Sequence, residues 1–288
     1  MRYSCNIPNF GDFADPAVVA RVAAAAEKAG WDALFVWDHL VHDKRARKGQ
    51  PFGDPWILLT AAALATTRLR LGPLVTPVPR RRPEELARQV ATLDALTGGR
   101  VIFGAGLGGP IADEYASFGD STDPVLLAER LDEGLELLGR FWSGESVSHV
   151  GAHYRVHDVE LLPATVQRPR PPIWIGGWWP RRRPFRRAAR WDGVAPLFLG
   201  AGHGEIPPVA DVRDMIAYTE DHRPDRSRPF EVVLGGVTPA DPDQAGELLA
   251  PFAAAGATWW DERFLMSGDD FYRLGPVLAR IEQGPPTL

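Results

Sequence analysis

A single cysteine, Cys5, in 288 residues leaves no partner for an internal disulfide and excludes a cysteine-built metal cluster. That usage fits a reducing compartment. No run of about 18 apolar residues exists to span a bilayer. The first residues read as a strand rather than as a charged-then-apolar leader, so a cytoplasmic protein is expected. A formal net charge of −5 supplies no global basic field, and nucleic acid is not an expected partner. The first strand offers Asn6 and Asn9 but no His-X-His, which argues against a metal-dependent barrel hydrolase. No G-x-G-x-x-G follows that strand, so nothing supports a tightly held dinucleotide.

What is present is a repeating punctuation. Asp15-Pro16, Asp54-Pro55, Asp123-Pro124 and Asp241-Pro242 each precede an apolar-periodic run, with Asp suited to the N-cap and Pro to the first helical turn. Gly30, Gly98-Gly99, Gly144 and Gly256 stand where left-handed caps would end the helices. Short Val/Ile/Leu-rich or aromatic runs follow several of these stops and predict strands near 3–7, 33–37, 69–75, 101–105, 173–176, 193–197, 230–234 and 257–261. Between them, Leu86, Val90, Leu93 and Thr97, and Leu127, Leu131, Leu135, Leu138 and Trp142, form stripes that bury one helix face. Eight strand–helix alternations in a chain with 45% hydrophobic residues predict one α/β domain, a (β/α)8 TIM barrel spanning 1–288.

Two segments depart from the alternation. Residues 145–172 alternate around a glycine turn and predict a small hairpin inserted after helix four. Residues 200–229, rich in Gly, Pro, Asp and Arg, predict a longer loop after strand six with one short helix at 209–219. Insertions of this kind often serve as lids.

The stretch Gly30-Trp31-Asp32-Ala33-Leu34-Phe35-Val36-Trp37-Asp38-His39 places a carboxylate and an imidazole at the carboxyl end of the second strand, the edge where α/β barrels collect ligands. Adjacent residues point to opposite sides of a strand, so Asp38 and His39 are expected to have separate tasks. An imidazole titrating near neutrality can donate or accept a proton, which makes His39 the candidate catalytic residue; a hydrogen-bonded structural histidine is the competing reading. His42, His149, His153, His157, His203 and His222 receive no chemical role. Gly104-Ala105-Gly106 and Gly176-Gly177, ending strands four and five, remove bulk where a flat ring or a phosphate approaches backbone, although tight turns explain them too.

These residues carry a resemblance. That segment, together with Arg70-Leu71-Gly72 leading to Val75-Thr76-Pro77, Arg81-Arg82-Pro83-Glu84-Glu85-Leu86-Ala87-Arg88, Gly98 through Gly106, Pro171-Pro172-Ile173-Trp174-Ile175-Gly176-Gly177 and Ala188-Ala189-Arg190-Trp191-Asp192-Gly193, resembles the luciferase-like monooxygenase superfamily of flavin- and deazaflavin-dependent oxidoreductases. The resemblance implies a reduced flavin mononucleotide (FMN) or the deazaflavin coenzyme F420 lying across the barrel mouth, and an oxidation or reduction of a small organic substrate. FMN implies oxygen insertion with a separate reductase; F420 implies hydride transfer without oxygen. A barrel that binds flavin without turnover is the third reading. The implied cofactor-binding residues are Asp38, Leu74, Thr76, Gly104, Ala105, Gly106, Gly176 and Gly177, with His39 facing the ring and Thr76 on its polar edge. A non-proline cis peptide is implied near Pro73-Leu74. The arginines Arg181, Arg182, Arg183, Arg186 and Arg187 are candidates for phosphate, Arg80, Arg81 and Arg82 are expected mainly at the surface, and a homodimer is implied. Trp37, Trp56, Trp178, Trp179, Phe198, Trp259 and Trp260 are candidates for an apolar lining that keeps water from the ring.

Overall fold

The computed structural model describes every residue except Ser267 and Thr287. Its helices begin and end where local chemistry dictates. The Asp15 carboxylate accepts from Ala17 N at 2.8 Å to start α1 (Pro16–Ala29), and Asp54 accepts from Trp56 N and Ile57 N to start α2 (Pro55–Leu64). Asp123 and Asp241 cap α5 (Pro124–Ser143) and α8 (Pro242–Ala255) alike. Gly30, Gly98, Gly144 and Gly256 take φ of 97°, 63°, 80° and 106°, the left-handed region that stops a helix at no steric cost only in glycine.

Nine parallel strands form the main sheet: β1 (Arg2–Ile7), β2 (Ala33–Val36), β3 (Arg70–Pro73), β4 (Thr76–Pro77), β5 (Phe103–Gly106), β8 (Ile173–Trp179), β9 (Gly193–Phe198), β10 (Glu231–Gly236) and β11 (Trp259–Glu262), in the order β3-β2-β1-β11-β10-β9-β8-β5-β4. β3 and β4 share one position in the ring, interrupted at Leu74–Val75. A bridge between Leu71 and Val101, with Leu71 N donating to Arg100 O and Ile102 N to Leu71 O, joins the two ends and closes a barrel of eight positions. Two glycines permit that closure. A Cβ on Gly72 would lie 1.8 Å from Ile102 O, and one on Gly104 would lie 2.2 Å from Pro73 O, so a side chain at either position would force the strands apart.

Helices α3 (Pro83–Thr97), α4 (Ile111–Glu114), α6 (Arg182–Ala188), α7 (Val209–Asp221) and α9 (Leu274–Glu282) complete the outer layer with α1, α2, α5 and α8. The expected stripe on α5 is buried throughout, from Leu127 to Trp142. Inside the barrel, Ala33, Phe35, Ile102, Trp174, Ala195, Val233 and Trp259 fill the lumen, with Trp174 and Trp259 edge-to-face at 5.2 Å and Leu74 packed on top. The barrel is a filled core rather than a pore.

The first expected insertion is the antiparallel hairpin of β6 (Val147–Val150) and β7 (Arg155–Val159). The second is less of an insertion than the composition implied. Val212, Met215 and Thr219 are buried, so α7 is the barrel's regular helix between β9 and β10, two residues longer than expected, and only its flanking loops are extra. β8 also outruns its expected end at Gly176, because Gly176 to Trp179 continue the ladder with Ala195 to Phe198. No helix among the described residues is long and apolar enough to cross a membrane.

Candidate active site

β2 ends at Val36, and Asp38 and His39 follow at the rim as the repeat predicts. The two side chains do not meet; two further residues, Arg80 and Glu114, join them. Asp38, 3% exposed, accepts from Thr76 Oγ1 at 2.9 Å, from Arg81 Nε and Nη2 at 3.1 and 2.8 Å, and from Arg80. The buried Arg80 guanidinium reaches on to Glu114 at the end of α4. Glu114, 0% exposed, holds His39: its Oε1 accepts from His39 Nδ1 at 3.0 Å, and its two oxygens accept from Val41 N and Leu40 N, each at 3.2 Å. Asn9 pins the same segment, donating to His39 O at 2.7 Å and accepting from His39 N at 3.2 Å.

This arrangement fixes the imidazole. A carboxylate only accepts hydrogen bonds, so Nδ1 carries the proton and Nε2 of the neutral ring keeps a free lone pair. The ring is neutral: burial pushes the His39 pKa down to about 4, with Arg80 adding to the fall and Asp38 opposing it. Two histidines without an assigned role in the sequence stand beside it. His42 lies 4.7 Å from His39, ring to ring, and His203, carried by the loop before α7, lies 4.7 Å from Trp37. Burial lowers their pKa values to about 4 and about 3. The rim therefore presents three uncharged imidazoles around one indole.

Several expected cofactor contacts have other partners in the structure. Asp38 does not border the open rim; it anchors Arg80 and Arg81. Thr76, 0% exposed, spends its hydroxyl proton on Asp38 rather than on a ring edge. Arg80 and Arg81 are not surface residues, and only Arg82, paired with Glu84, is one. The glycines are required by the protein's own packing: a Cβ on Gly106 or Gly176 would lie 2.9 Å from Val75 side-chain carbons, and one on Gly177 would lie 2.3 Å from Pro184 Cβ. Ala105 is fully buried in the core. The non-proline cis peptide is at Leu74-Val75, one bond beyond the expected place. Trp56 and Trp260 belong to the outer core and Trp259 to the lumen, and Trp179, Phe198 and Trp37 are buried as well, Trp37 among the rim histidines, so of the seven candidate aromatics Trp178 alone is exposed. Arg187 is buried on Asp132, Arg182 stacks on Trp179 and Tyr218, and Arg186 donates to Tyr218 Oη.

Glu114 and His203 carry no signal of their own in the sequence. Glu114 follows the glycine-rich end of strand four, a position where a barrel collects catalytic groups, but nothing local separates it from Asp113.

Closed parallel barrel, interrupted third strand and rim-mounted imidazole together define a TIM barrel with a candidate site at the carboxyl ends of its strands. Residues 6–191 match the luciferase-like monooxygenase family, and the chain belongs to it. It is 34% identical over 151 residues to an F420-dependent glucose-6-phosphate dehydrogenase of Intrasporangium calvum, covering 51% of this chain and 43% of that protein. It is 30% identical over 202 residues to an F420-dependent hydroxymycolic acid dehydrogenase of Mycobacterium tuberculosis, covering 67% and 49%. The chain thus spans about half the length of the curated relatives it matches. Monooxygenase RslO1 from Streptomyces bottropensis shares the fold, with a TM-score of 0.79 at 22% identity over 98% of this chain and 97% of that one. So does the F420-dependent tetrahydromethanopterin reductase of Methanopyrus kandleri, with a TM-score of 0.77 at 16% identity over 98% and 96%.

Proposed function

We propose that this chain is an oxidoreductase that binds coenzyme F420 across the rim and uses His39 as the proton acceptor in oxidising a small organic alcohol. The observation that carries the reading is the neutral His39 ring with Nδ1–H committed to Glu114 and Nε2 unspent. A base of that form takes a hydroxyl proton as hydride leaves the adjacent carbon, and no charged group has to move. The relatives named for F420-dependent dehydrogenation support the choice of coenzyme. When bound, the coenzyme supplies the two-electron hydride acceptor.

The rim fits such a group. Leu74, Val75 and Leu107 are left part-exposed above the filled lumen. β8 pairs with β5 only as far as Ile175, yet runs on to Trp179, so one backbone edge of Gly176–Trp179 has no neighbouring strand. Arg181 and Arg183, exposed just beyond it, have no acidic partner among the described residues and would meet a phosphate or an acidic tail. Leu74, Gly176 and Gly177 are accordingly the cofactor contacts we retain as proposals. Reduced FMN with oxygen insertion and a separate reductase is the second reading, supported by the family the chain belongs to. A storage role without turnover is opposed by the elaborate hold on His39.

We also infer a homodimer through α2. That helix has apolar residues all round, and Ile57 and Leu64 remain 60% and 72% exposed. Titrating the protein separately with F420 and with reduced FMN tests the coenzyme. F420 should bind at micromolar concentration and FMN more weakly, with His39→Ala keeping F420 but losing turnover. Indifference to both ligands ends the proposal.

A further inference from the structure

One charged side chain at the rim takes no part in the chemistry above. Arg263, just after β11, has only 7% of its side chain exposed. Its Nε donates to Asp261 Oδ2 at 2.9 Å and packs on Gly235, where a Cβ would fall 2.4 Å from Nε. Asp261, 0% exposed, also accepts from Ser4 Oγ at 2.7 Å and Asn6 Nδ2 at 2.9 Å, and Asn6 Oδ1 accepts from Trp37 Nε1. Arg263 is thereby tied, through Asp261 and Asn6, to the indole on whose edge His203 rests. Arg80, equally buried, spends both Nη atoms on Asp38 and Glu114. Arg263 Nη1 and Nη2 have no acceptor among the described residues, so four of its five N–H donors are unspent. His42 Nδ1, on a ring 5.9 Å from the same indole, is buried without a partner among the described residues.

We propose that the free Nη1–Nη2 edge of Arg263, beside His203 and Trp37, binds a carboxylate of the substrate. The inference deepens the functional reading above by naming a substrate class: a hydroxy- or oxo-compound that also bears a carboxylate. With no protein acceptor, the Nη1–Nη2 edge is free to meet a ligand, and its fork of parallel N–H groups matches the two oxygens of a planar anion. The charge at the site selects one negative charge over two. Arg263 already shares its charge with Asp261, and the three imidazoles are neutral, so the site compensates one negative charge only in part and a doubly charged phosphate still less. Specificity in this chain therefore differs from that of a relative named for glucose 6-phosphate.

The test uses the full chain without coenzyme and 19F NMR line broadening of 4-fluorobenzoate, with 4-fluorobenzyl alcohol as the uncharged counterpart and inorganic phosphate as competitor. Benzoate should bind saturably, the alcohol at least tenfold more weakly, and phosphate at equal concentration should not displace benzoate. Arg263→Gln should weaken benzoate at least tenfold while leaving F420 affinity, read by coenzyme absorbance, unchanged. If Arg263→Gln fails to fold because Asp261 is left unpaired in the interior, the double variant Asp261→Asn/Arg263→Gln removes both charges and serves in its place. Benzoate binding that survives loss of Arg263, or equal binding of the alcohol, overturns the subsite. Displacement by phosphate overturns the preference for a single charge. Arg263-dependent benzoate binding in a chain that takes neither F420 nor FMN keeps the subsite and removes the coenzyme reading instead.

Discussion

Replacing Glu114 with glutamine changes one atom and should disable the site. The carboxylate accepts from four donors at once: His39 Nδ1, the Arg80 guanidinium, Leu40 N and Val41 N. Glutamine keeps a single oxygen. If its amide nitrogen takes the Oε1 position, it faces His39 and Val41 N–H donor to donor; if it takes the Oε2 position, it faces Arg80 and Leu40. Either way two donors lose their acceptor, and Arg80 loses one of its two counter-charges. Hydrogen bonds to charged groups contribute about 1.5–3 kcal/mol each, and removing one member of a buried ion pair costs about 3–5 kcal/mol. Arg80 retains Asp38 and the imidazole can reverse its tautomer, so the lower end applies, about 3 kcal/mol, a loss of more than a hundredfold in the folding constant. Urea unfolding at pH 7.5 measures it, with the denaturant slope unchanged. The chemical consequence is separate from the stability loss. An amide N–H aimed at Nδ1 moves the imidazole proton to Nε2, which then cannot accept, and turnover should fall about 10²–10⁴-fold with F420 affinity intact. 15N NMR of the His39 ring distinguishes the tautomers directly. A variant within 0.5 kcal/mol of the parent, or one with the parent tautomer and parent turnover, refutes the reasoning.

Acid should destabilise the fold in a defined window. His39, His42 and His203 have folded pKa values of about 4, about 4 and about 3 against an ordinary 6.5, so between pH 6.5 and 4 the unfolded chain binds more protons than the native one. Stability is complete above pH 6.5 and falls as pH drops, and denaturant midpoints that stay level from pH 7 to pH 5 would contradict the burial of these rings. Gly104→Ala should cost at least 1–3 kcal/mol, the usual range for overpacking, because its new methyl meets Pro73 O at the barrel seam; an unchanged thermal midpoint would show that the seam yields. Ile57→Asp together with Leu64→Asp should give a folded monomer by light scattering, and a dimer that persists would exclude the α2 face.

The helix boundaries were legible because they are local: an Asp N-cap and a left-handed glycine act within one turn of the chain. Strand ends were less so. Gly176-Gly177 looks like a turn, yet β9 supplies a partner for each residue to Trp179, and only the neighbouring strand reveals it. The helix at 209–219 was legible, but the polar composition around it concealed its place as the barrel's regular helix α7, since its buried face is narrow. His39 was legible from its place after a strand. Its partners were not, because they are distant in sequence: Glu114 is 75 residues away and Arg80 closes the gap between Asp38 and Glu114 from a third strand end.

Asp38 and His39 are neighbours whose relation is electrostatic rather than direct, and the charge count around them explains the state of the base. Two buried carboxylates, Asp38 and Glu114, face two guanidiniums, Arg80 and Arg81, so the cluster sums to zero with His39 neutral. A proton on His39 would leave one unbalanced positive charge in a largely buried site, which lowered local dielectric penalises. The same count shows why Arg80 is needed beside a base that wants no positive neighbour. Without it, two buried carboxylates would draw a proton onto the imidazole, and the rim would hold an acid where the chemistry requires a base. Arg80→Met, which removes the charge and keeps the bulk, should therefore raise the His39 pKa above about 4 while burial still holds it below its ordinary value, as followed by the ring 15N shifts across pH 4 to 8. A pKa that does not rise at all would assign the effect to burial alone and leave Arg80 a merely structural tie.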